Sequence, residues 1–506
     1  MNPKLHSNRE LNDYSINDSF DFLTKAEAIK IFLEQNSASL EENKMIVLYG
    51  DWGSGKTSLM RHIADTIEPI IYKPIFFQAW EHEKDENLAL SLCDALTDCL
   101  QNKTDKLVKE FMKGALLTLK SFASGITLKS SSLLSGLGID LEISGEKIIK
   151  EINEAIDGSK HPSFYSTNNA FKEKFIEVEN TILKQANAQK LLIFIDDLDR
   201  CEPENVLNLI TALKLFFTYG KNSIFFCGID KEAITKAVKT KYKDVVKSEE
   251  YMEKVFDISF SMPKTFSLNK MLTPYFKQTI RVKSDTYQAV PIVEDFFKSI
   301  RFTNPRHLKK VINKYEIIKS FKTLSSISSD IRELIPNIIQ TNNSGGDLFE
   351  SIYCLYIIIL YEFFPAEFEE VENYSMKMTK YAEILFQSKK DMNYTKTMAA
   401  SEVTEHFIIF DIQKQPIYKI FKLREPQTNL SNVFSKFLYI FSNSSPSTLS
   451  YMYDHQLDEY DQYFLDDKIS SNFCRFLIRY RDLIYETSEE SNYKIRNLFE
   501  MVKYLL

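Results

Sequence analysis

Glycine is scarce in this chain, 13 among 506 residues, so any place where several fall together needs a physical reason. Tryptophan is scarcer still, at 2. The 6 cysteines (Cys93, Cys99, Cys201, Cys227, Cys354, Cys474) form no CxxC pair and have no histidine at ligand spacing. That excludes a disulfide framework and a zinc site, and suits small buried thiols in a reducing cytoplasm. The 7 histidines contain no HExxH pattern, so metalloprotease chemistry is not indicated. The longest apolar run, Ile352 to Tyr361, is 10 residues and stops at Glu362, about half of the roughly 20 a bilayer crossing requires. The N-terminal MNPKLHSNRELNDYSINDS has no apolar signal core, so secretion is not expected. Neither sign of charge dominates, and a net −7 excludes a surface that is basic all over. With 44% hydrophobic and 26% charged residues, a cytoplasmic globular protein of about three domains is expected.

The scarce glycines do cluster. Residues 50–58 read GDWGSGKTS, after the apolar run Met45–Tyr49 and before a stretch of helical apolar spacing from Ser58 to Ile67. This is the strand, loop and helix order of a P-loop. Gly50, Asp51, Trp52, Gly53, Ser54 and Gly55 are expected to curl so that backbone N–H groups face phosphate oxygens, with the helix start adding partial positive charge. Lys56 would reach the β- and γ-phosphates, Thr57 would offer its hydroxyl to magnesium, and Ser58 closes the loop.

A sheet of alternating strands and helices is expected, with further strands at Ile70–Phe77, Leu191–Ile195 and Ser223–Ile229 and ligands at their carboxyl ends. KLLIFIDDLDRC, residues 190–201, puts carboxylates at one such end. Asp196, first off the strand, would hold magnesium through its hydration shell. Asp197 or Asp199 would orient the attacking water; Asp197 is the first choice because it follows Asp196 directly. Arg200 either stabilises charge on the transferred phosphoryl group or pairs with one of these aspartates. The competing reading of DDLD is an N-cap cluster for a helix over Pro203–Phe217, which would not account for the apolar strand in front of it.

These segments, with QAWEHEK after the second strand, the strand end Gly228-Ile229-Asp230, YMEKVFDISFSMP (251–263) and NPRHLKKVIN (304–313), resemble the KAP family of P-loop NTPases, related to AAA+ and STAND NTPases. The resemblance spans roughly residues 20–320. It implies that Asp230 senses the γ-phosphate, with a helix N-cap as the plainer alternative, and that Arg306 acts as a sensor on a helical lid, with a solvated charge as its alternative. It further implies a nucleotide switch in which the γ-phosphate holds core and lid together, working with a protein effector encoded elsewhere, as in bacterial anti-phage (antiviral) defence. Homo-oligomers follow by analogy alone. An ATP-binding scaffold with little turnover and a nucleic-acid sensing or remodelling ATPase are the alternatives.

NKTD at 102–105 resembles a guanine-specificity tetrad, but it follows a helix and no DxxG lies between it and the P-loop; ATP with Mg2+ is therefore the expected ligand. The organisation read from the chain is an NTPase core over 1–264 with an insertion at 101–168, a helical lid over 265–340 and a helical C-terminal domain over 341–506. Relatives often carry transmembrane helices at the insertion. Here Met112–Leu137 contains Lys113, Lys120 and Lys129 and many Ser and Thr residues, too polar to span, and protein packing is expected instead. Two basic stretches, Lys236–Lys247 and Arg301–Lys314, read as solvated faces, leaving nucleic acid open as a partner. The acidic, aromatic segment 451–467 suits a protein surface.

Overall fold

Five segments pair into one parallel sheet: β1 (Met45–Tyr49), β2 (Tyr72–Gln78), β3 (Lys190–Asp196), β4 (Ser223–Ile229) and β5 (Ile258–Ser261), in the spatial order β2-β3-β4-β1-β5. The computed structural model describes residues 5–7, 18–85, 87–101, 106–122, 164–242, 248–264, 266–277, 279–282, 285–300, 302–322, 329, 345–363, 365, 368–369 and 501–506. β3 and β4 are buried at every position, which is why their sequences are continuous apolar runs without alternation. β5 was not expected as a strand. It lies at the sheet edge and alternates Ile258 and Phe260 with exposed serines, a short period-two pattern inside a charged segment.

The two faces of the sheet carry different layers. Met45, Val47, Ile75, Phe77, Ile193, Ile195, Phe225, Cys227 and Ile229 point into one core. That core is closed by α3 (Leu88–Thr97), α4 (Lys106–Phe122), α5 (Phe164–Ala186), α6 (Pro203–Phe216), α7 (Lys231–Tyr242) and α8 (Ser248–Val255). The alternate residues Phe76, Phe194, Phe226 and Phe260 form a row of rings on the opposite face, with neighbouring centroids 5.4–6.4 Å apart. There α1 (Leu23–Gln35) brings Phe32 to Phe260, and α2 (Lys56–Thr66) brings Arg61 to Phe76.

The expected insertion begins inside this core. α4 buries Val108, Phe111, Met112, Ala115 and Leu119, stacking Phe111 on Phe171 and Phe175 of α5 at 5.6 and 6.3 Å. Packing within the chain thus accounts for the start of the small-residue stretch; residues 123–163 lie outside the described set, as do NKTD and the C-terminal acidic segment.

The chain divides into two compact units, Glu10–Lys264, and Met1–Arg9 with Thr265–Leu506. In the second, α9 (Ala289–Ser299), α10 (Pro305–Lys322) and α11 (Gly345–Phe363) follow an antiparallel hairpin of β6 (Thr279–Val282) and β7 (Asp285–Gln288). The stretch expected to be mainly helical thus also carries strands, after a helical turn at Asn269–Leu272, as the β-branched and aromatic content of TIRV and DTYQ favours. The first residues also join this unit instead of the core: His6 N–H donates to Asn313 Oδ1 and Asn313 Nδ2 donates to His6 O, both at 2.8 Å. The 10-residue apolar run lies in α11 with Ile352 and Cys354–Leu360 fully buried. Among the described residues no helix is long and apolar enough to cross a membrane.

Candidate functional site

The glycine loop leaves β1 anchored on both neighbouring strands. Gly50 N–H donates to Ile229 O at 3.1 Å and Met262 N–H to Tyr49 O at 2.6 Å. A Cβ on Gly50 would stand 2.6 Å from both Met262 Cγ and Ser54 Oγ, so no larger residue fits. Gly55 caps α2 with φ +98°, a left-handed backbone that side-chain-bearing residues avoid. The turn delivers Lys56 and Thr57 as the first residues of α2, where the helix's N–H groups lack intrahelical partners and favour anions.

Lys56 is enclosed. Its Nζ donates to Gly50 O at 2.8 Å, to Asp51 O at 3.3 Å and to Asp199 Oδ2 at 3.2 Å, and both side chains of this ion pair are only 6% exposed. Asp196 ends β3 and is buried. Its carboxyl is pushed up to about 6, first by burial and then by neighbouring Asp197, against the opposing hydrogen bond from Thr57 and the charge of Lys56. Asp196 Oδ2 and Ser54 Oγ are buried with no hydrogen-bond partner. A buried carboxylate oxygen without a donor, beside the Thr57 hydroxyl, is the oxygen-rich corner that a hard divalent cation takes; Thr57 and Asp196 fit magnesium.

The carboxylates after Asp196 divide their partners. Asp197 adopts φ +58°, a conformation aspartate tolerates better than most residues, and accepts from Arg200 Nε at 3.1 Å. Arg200 also lies 5.2 Å over the Trp80 ring. Of the two readings of Arg200, pairing with an aspartate is the one this geometry displays. Asp199, not Asp197, meets the P-loop lysine. Asp230 does two jobs at the end of β4: Oδ1 accepts from Glu232 and Ala233 N–H at 2.9 and 3.3 Å, capping α7, while Oδ2 accepts from Trp52 N–H at 3.0 Å in the P-loop. Arg306 lies in the first turn of α10, where Asn304 Oδ1 accepts its N–H at 3.0 Å, and belongs to the second unit.

Two residues of QAWEHEK that the sequence analysis did not single out lie among these elements. Glu83, from QAWEHEK, accepts from Glu202 N–H at 2.7 Å and Asn205 Nδ2 at 3.2 Å, tying that segment to the start of α6. Gln78 ends β2 in register with Asp196. Its place at a strand's carboxyl end, at the head of QAWEHEK, is the signal in the sequence.

A parallel sheet in this order, a glycine loop running from β1 into a helix, and an acidic end of β3 beside it define a P-loop NTPase. The KAP family P-loop domain matches residues 27–321, and the chain belongs to that family. It is similar to the uncharacterized protein MJ0181 of Methanocaldococcus jannaschii, 43% identical over 132 residues, which are 25% of this chain and 50% of that protein. It is also similar to the uncharacterized protein MJ0182 of the same organism, 32% identical over 167 residues, 28% of this chain and 84% of that one. The chain thus spans half the length of the first relative and most of the second.

Proposed function

We propose that this P-loop NTPase is a magnesium-dependent ATP hydrolase that works as a nucleotide-driven switch beside a protein partner. The observation that carries the reading is the buried Lys56–Asp199 pair. A buried ammonium needs a counter-charge, and Asp199 supplies it. Triphosphate offers Lys56 a stronger partner, so the lysine transfers to the β- and γ-phosphates and Asp199 is released. The freed carboxylate then accepts a proton from water as the water oxygen bonds to the γ-phosphorus and the bond from that phosphorus to the β–γ bridging oxygen breaks. Magnesium, held by Thr57 and Asp196, supplies neutralisation of phosphate charge when bound. Asp197 is committed to Arg200, which makes Asp199 the better base. ATP is preferred over GTP because the chain shows no DxxG after its P-loop.

Turnover assays and equilibrium nucleotide binding on the full chain test this. Lys56→Ala should lose binding. Asp199→Asn should bind ATP several-fold more tightly, since nothing then competes for Lys56, and turn it over on the order of 100-fold more slowly. Wild-type protein that binds MgATP without hydrolysing it would be a scaffold, and the hydrolase reading would fall. Capture of partners with Asp199→Asn, locked in its nucleotide-bound form, tests the effector.

A further inference from the structure

Resting on the hydrolase reading, we propose that Gln78, oriented by Arg61, is a further residue of the hydrolytic site, presenting its amide NH2 as a hydrogen-bond donor to water beside Asp196. Gln78 pairs with Asp196 across β2 and β3. Residues in register on parallel strands project from the same face, and for Asp196 that is the face of α2, where Thr57 hydrogen-bonds to it. Arg61 stands one turn beyond Thr57 on the same side of α2. Its guanidinium lies 3.6 Å over the ring of Phe76, and Nη2 donates to Gln78 Oε1 at 3.3 Å.

That contact sets the amide. Arginine can only donate, so the oxygen of Gln78 must face Arg61 and the NH2 must turn away from it. Among the described residues the NH2 has no protein acceptor, and the side chain makes no cap for the 3-10 turn Ala79–His82 that follows. Its register partner Asp196 is a carboxylate, an acceptor and not a donor. A water that gives one proton to a single carboxylate can still rotate about that bond, whereas a further donor to its oxygen fixes where the remaining lone pair points. A neutral amide does this without adding a like charge beside Asp196, whose carboxyl is already raised.

Two variants separate this role from a simple clamp between β2 and α2. Gln78→Glu keeps an acceptor for Arg61 and loses the donor; Gln78→Met loses both at similar volume. We expect each to lower kcat by on the order of 10- to 100-fold with KM little changed. ATP affinity measured by equilibrium dialysis in EDTA should stay within about twofold of wild type. Wild-type kcat in Gln78→Glu, or lost EDTA affinity with kcat kept, would overturn the assignment and leave a structural clamp. Absence of turnover in the wild type would instead remove the hydrolase reading on which it rests.

Discussion

Asp196 carries opposing demands at a single position. The fold buries its carboxyl and lifts it from 3.8 to about 6, while cation binding requires it ionised. The folded state therefore keeps the proton to higher pH than the unfolded chain does. Stability falls as pH rises from about 4 to about 6, and the penalty is complete above that, about 3 kcal/mol at neutral pH. Asp196→Asn removes the penalty: thermal unfolding of the nucleotide-free variant should occur several degrees above wild type at pH 7, the difference shrinking as pH falls toward 4, while magnesium-dependent nucleotide binding is lost. A lower unfolding temperature for the variant at pH 7 would contradict the assignment. This conflict was half legible in the chain. An aspartate closing an apolar strand announces the cation, but that its Oδ2 is buried without a hydrogen-bond donor required the packed site.

Among the elements, α5 shows most clearly what a helix face hides. In sequence Glu179 is one acidic residue of IEVEN among several. In the fold it is fully buried and its carboxylate accepts from Lys221 N–H at 3.0 Å, Asn222 N–H at 2.9 Å and Ser223 Oγ at 2.5 Å, holding the loop that enters β4. Lys44 closes the same loop from the entry to β1, donating to Thr218 O at 2.9 Å and also to Gly220 O. A Cβ on Gly220 would stand 2.5 Å from the Phe175 ring, so the turn seats directly on α5. Glu179→Ala removes the acceptor of two backbone donors and of the buried Ser223 hydroxyl and should destabilise the first unit by about 3 kcal/mol, read from urea unfolding, with nucleotide affinity at low denaturant nearly intact because the loop lies at the opposite strand ends from the P-loop. Loss of affinity without loss of stability would show that the loop does more than fasten the sheet. The strand β5 and the hairpin β6–β7 escaped sequence reading for a related reason: four-residue strands carry too little periodicity to stand out from charged surroundings.

For the whole molecule, ligand binding and folding are linked through the first unit. MgATP at about 100 times its dissociation constant should stabilise that unit by about 2.7 kcal/mol, seen calorimetrically as an upward shift of several degrees in one transition. The chain's two compact units need not unfold together, so a second transition should keep its temperature. Lys56→Ala should show no shift, and Asp199→Asn a larger one than wild type at equal ATP. Equal shifts in all three proteins would detach nucleotide binding from the P-loop.

The amino-acid order by itself determined the P-loop and the apolar strand with its terminal carboxylates, because each is encoded within a run of about a dozen adjacent residues, and the KAP family, because several such short runs follow one another in a fixed order. Tertiary structure alone decided that Asp199 meets Lys56 while Asp197 turns to Arg200, that Asp230 caps a helix and holds the P-loop at once, and that Gln78 stands beside Asp196. Those partnerships join residues far apart along the chain, and they depend on strand order, register and one left-handed residue at Asp197. Spacing in one dimension carries no record of such distances.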